Sequence, residues 1–153
     1  MARTTYSIEV SEQISAPIQS VFDVMSDFAQ FDEWNPFPSM DPSTVSTVGT
    51  PSTGVGATYN YVGKRIGNGK MAITALESPR LIGIQMVFGA PSPSVAEVEY
   101  RLSEKDGGTE VTWFMSGTRG FMDRLMNKVL KLDVMMTGHF ADGLGRLKAF
   151  LEK

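Results

Sequence analysis

The chain has 153 residues, 42% hydrophobic and 20% charged, with a formal net charge of -3. That is the size of one domain with enough apolar material for a core. The sequence shows no basic cluster, which argues against a nucleic-acid partner, and no long unbroken apolar run, which argues against integral membrane association. It also has no cysteine, which excludes disulfides, thiolate metal sites and cysteine nucleophiles. The N-terminal residues lack the apolar stretch of a secretory signal, so a cytoplasmic location is expected.

Taken in chain order, residues 6–15 alternate. Tyr6, Ile8, Val10 and Ile14 share one face, and Ser7, Glu9, Ser11 and Gln13 share the other, the pattern of a half-buried strand. Glu12 lands on the apolar face unless a bulge displaces it. Ser15-Ala16-Pro17 then signals a helix start, and Val21, Phe22, Met25 and Phe28 repeat at helical spacing. Asp27 is placed to cap a second short helix over Phe28–Glu33, which Trp34-Asn35-Pro36-Phe37-Pro38 ends. Residues 39–54 have the composition of a loop, with a weak strand pattern at Thr44–Val48. Gly54-Val55-Gly56 opens a clearer strand on which Ala57, Tyr59 and Tyr61 share a side, and Gly67-Asn68-Gly69 has the composition of a turn.

Strands follow at 70–77, 81–88, 94–103 and 109–118, separated by short breaks at Ser78-Pro79, Gly89-Ala90-Pro91 and Asp106-Gly107-Gly108. Short breaks make these strands neighbours in an antiparallel meander. Charge assigns the faces. Ile82, Ile84, Met86 and Phe88 point inward, as do Ala96, Val98, Tyr100 and Leu102, and then Val111, Trp113 and Met115.

From Phe121 to Lys153 runs one long helical pattern with the stripe Leu125, Val129, Leu132, Met136, Phe140, Leu144, Leu147 and Leu151. A single long helix after an antiparallel sheet hides that stripe by lying in the curve of the sheet, an arrangement that tends to enclose a cavity. Gly138, Gly143 and Gly145 interrupt the helix. Each costs roughly 1 kcal/mol relative to alanine, so each answers either a close packing contact or room for a ligand. The chain carries 10 methionines, and Met115, Met122, Met126, Met135 and Met136 cluster on or beside this helix. Methionine suits adaptable apolar surfaces.

Several local motifs now converge in order and spacing. They are Ile14-Ser15-Ala16-Pro17 with Val21-Phe22, Asp27 through Trp34-Asn35-Pro36, Gly54-Val55-Gly56-Ala57 and Gly69-Lys70-Met71-Ala72-Ile73. Gly108-Thr109-Glu110-Val111-Thr112-Trp113 with Met115-Ser116-Gly117, and Phe140-Ala141-Asp142-Gly143-Leu144 with Leu147-Lys148, complete the set. With them the chain resembles the START-like, helix-grip (SRPBCC) superfamily, and within it the polyketide cyclase/dehydratase-like group. The resemblance covers residues 1–153 as a single domain. It implies an α+β fold, a seven-stranded antiparallel sheet wrapped around a long C-terminal helix with two short helices between strands 1 and 2. It also makes a strand of residues 43–49 and implies an apolar tunnel between helix and sheet. Members bind lipids, sterols, polyketides or plant hormones; some catalyse ring closure or dehydration, and others serve protein partners. Gly145 and the Met-rich stretch 115–136 depart from close relatives.

The candidate ligand-binding residues are Trp34, Tyr59, Tyr61, Ile84, Met86, Phe88, Val98, Tyr100, Trp113, Met115, Leu132, Met136, His139 and Phe140. Tyr and Trp pair an apolar face with a polar tip that a ligand can partner. His139, the only histidine, is a candidate general base or polar hook, although a half-exposed helix residue fits its position as well. Glu12 is the other catalytic candidate. An inward carboxylate needs a partner such as Arg119, Lys70 or a tyrosine hydroxyl, and a bulge would turn it to solvent instead. One His with the nearby Asp142 falls short of a metal site, so no metal and no cofactor are expected, and no Gly-x-Ser-x-Gly turn marks a nucleophile. The leading expectation is binding of a hydrophobic or amphipathic small molecule. A cyclase or dehydratase acting in the same cavity and a co-chaperone-like interaction module are the alternatives, and a homodimer is compatible with each.

Overall fold

In the computed structural model, which describes residues 4–65, 67–89, 94–119 and 132–152, the alternating segments become seven strands. They are β1 (Thr4–Ile14), β2 (Val45–Val48), β3 (Thr58–Gly63), β4 (Gly67–Glu77), β5 (Leu81–Phe88), β6 (Ser94–Lys105) and β7 (Gly108–Arg119). All neighbours pair antiparallel in the order β1-β7-β6-β5-β4-β3-β2, so β2 to β7 form a meander and β1 closes onto β7. The inward faces assigned from charge hold. Ile82, Ile84, Met86, Ala96, Val98, Tyr100, Leu102, Val111, Trp113 and Met115 are buried, and Phe88 is half-buried. One irregularity interrupts the alternation, a register shift between Ile73 and Ala75 where β4 meets β5.

Three short helical segments lie between β1 and β2, one more than the two expected. Helix α1 (Ile18–Met25) starts after Pro17 and buries Val21, Phe22, Val24 and Met25. A 3-10 helix (Phe28–Glu33) is capped by Asp27, whose carboxylate accepts from the Ala29 N–H at 2.9 Å and the Ser52 hydroxyl at 2.7 Å. Burial works against the charge on Asp27, but hydrogen bonds from Ser52, Ala29 and Gln30 outweigh it and hold the carboxyl below its usual range. A one-turn helix, α2 (Phe37–Met40), lies where the composition suggested the end of helical structure. Proline is tolerated there because the first turn of a helix leaves its N–H groups unused.

The C-terminal helix α3 is described over Leu132–Leu151. The expected start of the helix at Phe121 lies outside the described residues, as do the side chains of Leu125, Val129, Leu132 and Met136. Within the described part, Phe140, Leu144 and Leu147 are buried and Leu151 partly so. A clasp ties the end of this helix to the end of β1. The Lys148 ammonium donates to the Gln13 carbonyl at 2.8 Å, and the Glu152 carboxylate accepts from the Ser15 N–H at 2.8 Å and from Lys148 at 2.7 Å.

Two glycine readings change. Gly67-Asn68-Gly69 is not the turn; these residues open β4, paired with Gly63, Val62 and Tyr61. Gly69 is needed because the Tyr61 ring lies over it, and an added Cβ would collide with the Tyr61 hydroxyl and ring. The strand expected from Gly54 begins only at Thr58, because Gly54 and Gly56 adopt φ of 88° and 99° in the turn before it.

On α3 the three glycines part company. A Cβ on Gly143 would sit 3.2 Å from Trp113 Cζ3, 3.3 Å from Pro36 Cδ and 3.3 Å from the Trp34 carbonyl oxygen. Gly143 therefore answers close packing against rigid groups, whereas Cβ atoms on Gly138 and Gly145 would meet no described atom within 4 Å. Gly145→Ala is expected to stabilise the protein by about 0.5–1 kcal/mol through helix propensity, while Gly143→Ala loses that gain to overpacking and destabilises. Thermal melts of the two variants check this; equal shifts would contradict the packing assignment.

Candidate ligand site at the seam of sheet and helix

Four aromatic side chains meet where α3 crosses the sheet. Trp113 on β7 and Tyr100 on β6 are cross-strand partners, with ring centroids 5.4 Å apart and near perpendicular. Trp34, delivered by the end of the 3-10 helix, packs edge-on against both, at 5.5 Å from Tyr100 and 5.6 Å from Trp113. Phe140 of α3 stacks flat on Trp113 at 4.1 Å and 6°. A second aromatic run, Phe31, Phe37, Tyr59 and Tyr61, continues from Trp34 towards β3.

The turn that presents Trp34 is held by Asn35. Its amide donates to the Tyr59 hydroxyl at 2.8 Å and to Asp32 at 3.1 Å, and its carbonyl accepts from the Phe37 N–H at 2.8 Å. Tyr59 in turn donates to Asp32 at 2.7 Å. Burial first, and the neighbouring Asp32 charge with it, push the Tyr59 phenol well above its ordinary pKa. Burial pushes Tyr61 up to about 12. In the sequence, Trp34-Asn35-Pro36 is a helix stop and a family motif, and Trp34 is a candidate lining residue, but the hydrogen-bonding role of Asn35 is not read there. An asparagine before proline, next to a tryptophan, was the available signal for a hydrogen-bonded turn.

Three buried polar atoms in the cluster have no hydrogen-bond partner among the described residues: Trp34 Nε1, Trp113 Nε1 and Tyr100 Oη. Burial drives the Tyr100 phenol far up, so it remains protonated. All three are therefore donors held in an apolar setting.

Beside this cluster the inner face of the sheet changes character. One step along β6 and β7 come Val98 and Met115, and the next step brings Ala96 opposite Gly117. Ala96 pairs with Met86, and Met86 with Met71. Bulk thus falls from indole and phenol to thioether, methyl and hydrogen across one covered strip, in which Met71, Met86, Ala96 and Met115 are all buried.

The expected site residues distribute as follows. Trp34, Tyr59, Tyr61, Ile84, Met86, Val98, Tyr100, Trp113, Met115 and Phe140 are buried on or against the inner face. Leu132 and Met136 lie in the first turns of α3, their side chains outside the described residues. His139 is half-exposed beside Phe140. Glu12 pairs in register with Val111 with no bulge in the ladder, so it keeps the inward side of an edge strand. It is half-buried, and its carboxylate accepts from the Gln13 N–H at 3.1 Å. The suggested cationic partners are elsewhere: Lys70 is exposed on β4, and Arg119 pairs with Thr4 at the opposite end of β1. No hydrogen bond or ion pair among the described residues joins His139 to Glu12. Among the described residues, no three His, Asp or Glu side chains stand together as a metal site would require. A surface depression of about 270 Å³ opens at β3, β4 and the end of β5, bordered by the outward residues Asn60, Val62, Asn68, Lys70 and Val87, and the expected site residue Tyr61 lines it too, with Gly69 and Gly89.

Removing an unpaired buried hydroxyl removes its desolvation penalty. Tyr100→Phe is therefore expected to raise the stability of the free protein by about 1 kcal/mol, read from denaturant unfolding. A loss of similar size would mean that the hydroxyl is already well partnered.

No helix among the described residues is long and apolar enough to cross a membrane. Many solved structures share the fold. The KanY solution structure aligns with a TM-score of 0.74 at 13% identity, covering 100% of both chains. Protein Ms6760 from Mycobacterium smegmatis gives 0.66 at 22% identity, over 95% of this chain and 90% of that one. The Aha1 dimer from Colwellia psychrerythraea gives 0.69 at 17% identity, over 96% of each. Among curated proteins none matches the sequence significantly. The family model described as polyketide cyclase / dehydrase and lipid transport matches residues 5–152. The helix-grip architecture and a match over nearly the whole sequence agree, and the chain belongs to that polyketide cyclase / dehydrase and lipid transport family.

Proposed function

We propose that this protein binds a small hydrophobic or amphipathic molecule between the inner face of its sheet and α3. The observation that carries the reading is the strip of small and flexible side chains, Gly117, Ala96, Met115, Met86 and Met71, next to an aromatic wall. Thioethers repack readily around a guest, and glycine and alanine take little room. A buried, mainly apolar surface with a few convergent polar groups is the usual chemistry of a small-molecule site.

Binding is better supported than ring closure by the polar groups at the seam. They are two indole N–H groups and a phenol kept protonated by burial, which donate hydrogen bonds and do not abstract protons. His139 and Glu12 would enter a catalytic version only as separate groups at the margin. A cytoplasmic setting goes with this reading, and a sequence without cysteine is compatible with it.

The test fills the strip. Ala96→Phe adds a ring where Gly117 faces a methyl group. A guest that must compete with that ring is expected to lose about 1–3 kcal/mol, a fall of roughly 5- to 150-fold in affinity for an apolar dye such as Nile red. A variant that keeps a cooperative melt and binds the dye as the parent does would rule out the strip as the site.

A further inference from the structure

We infer that Glu12, Lys148 and Glu152 guard the open edge of β1 against strand pairing with β1 of a second copy of the protein.

β1 needs such a device more than the opposite edge does. The sheet ends in β1 on one side and in β2 on the other. β2 has only 4 residues, and a short strand is a poor template for pairing. β1 has 11 and runs along β7 without a bulge. A long regular edge offers backbone N–H and C=O groups at every second residue. Turned about a twofold axis, the same edge presents the complementary groups, so an identical strand fits it.

The geometry shows which groups face outward at the end of β1. The Ile14 carbonyl oxygen points to β7, so close to Gly108 that an added Cβ there would collide with it. The N–H and C=O of one strand residue share a side and neighbouring residues alternate, so Gln13 turns both groups away from β7. Charged side chains occupy them. The Gln13 N–H donates to Glu12 Oε1 at 3.1 Å, and the Gln13 carbonyl accepts from Lys148 Nζ at 2.8 Å. Two residues on, the Ser15 N–H donates to Glu152 Oε2 at 2.8 Å. Lys148 first, and the Ser15 N–H with it, hold the Glu152 carboxyl below its usual range, which keeps it an acceptor. An incoming strand therefore meets a carboxylate or an ammonium group at each of three backbone positions.

The placement of Glu12 follows from the same need. An apolar residue at that inward position would join Ile8, Val10 and Ile14 and make β1 a better template. A charge pointing inward from an edge strand is a recurrent means of preventing edge-to-edge pairing.

The test removes the guard with Glu12→Val, Lys148→Ala and Glu152→Ala together. Sedimentation velocity follows parent and variant from micromolar to millimolar concentration. The variant is expected to self-associate at least ~10-fold more tightly than the parent. Its Gln13 and Ser15 amides are expected to exchange fast in dilute solution and slowly in concentrated solution. Adding Ser11→Pro, which deletes another outward N–H, is expected to return the variant to the parent's state of association. Ser11→Lys replaces it if the proline variant loses its cooperative melt. If the triple variant does not melt cooperatively, Lys148→Ala with Glu152→Ala carries the same expectation. A folded variant that associates no more tightly than the parent, or association that survives the Ser11 substitution, would overturn the inference.

Discussion

The stack of Phe140 on Trp113 is the contact on which the rest of the architecture turns. At 4.1 Å and 6° it seats α3 on β7, and Gly143, one turn later, lets the same helix approach Trp113, Pro36 and the Trp34 carbonyl. Three chain segments far apart in sequence thereby meet at one indole: strand, helix and the turn after the 3-10 helix. Aromatic burial of this kind contributes both area and orientation. The clasp of Lys148 and Glu152 on Gln13 and Ser15 fixes the other end of the helix, but its groups are still partly open to solvent and add alignment more than stability.

From that junction the inner face divides in two. On one side the aromatic run through Trp34, Phe31 and Tyr59 is locked by the Asn35–Tyr59–Asp32 hydrogen bonds. On the other side Met115, Met86, Met71, Ala96 and Gly117 form a surface that can rearrange. A rigid wall beside an adaptable floor suits a protein that holds guests of one general shape. The family match is consistent with ligand binding or cyclase-type chemistry, and fold likeness at the identities found here does not choose between them.

Much of the fold was legible because period and charge agreed. The inward sets on β5, β6 and β7 followed from Gln85, Glu97, Glu99, Arg101 and Glu110 on the outside. The Asp27 cap and the weak strand at Val45–Val48 were readable too, the latter through the family resemblance. What escaped depended on partners distant in sequence. Gly67-Asn68-Gly69 has turn composition, yet Tyr61 across the hairpin makes a strand of it. Of the three helix glycines, only contact with Trp34, Pro36 and Trp113 singles out Gly143. Tyr100, Trp113 and Trp34 could be named as pocket lining from their chemistry. That they form one triangle, with three donors unpaired among the described residues, appears only when the strand register and the Asn35 turn bring them together. Glu12 remained ambiguous in sequence because inward placement and a bulge both satisfy the alternation; the unbroken ladder to β7 decides its side.

The most direct measurement on the central claim is native mass spectrometry of the purified protein, followed by denaturing extraction and identification of what is released. A bound small molecule at fixed stoichiometry, apolar over most of its surface, is the predicted result. Persistent protein without added mass, even after exposure to cell extract and to the apolar dye, would contradict a ligand site at the seam.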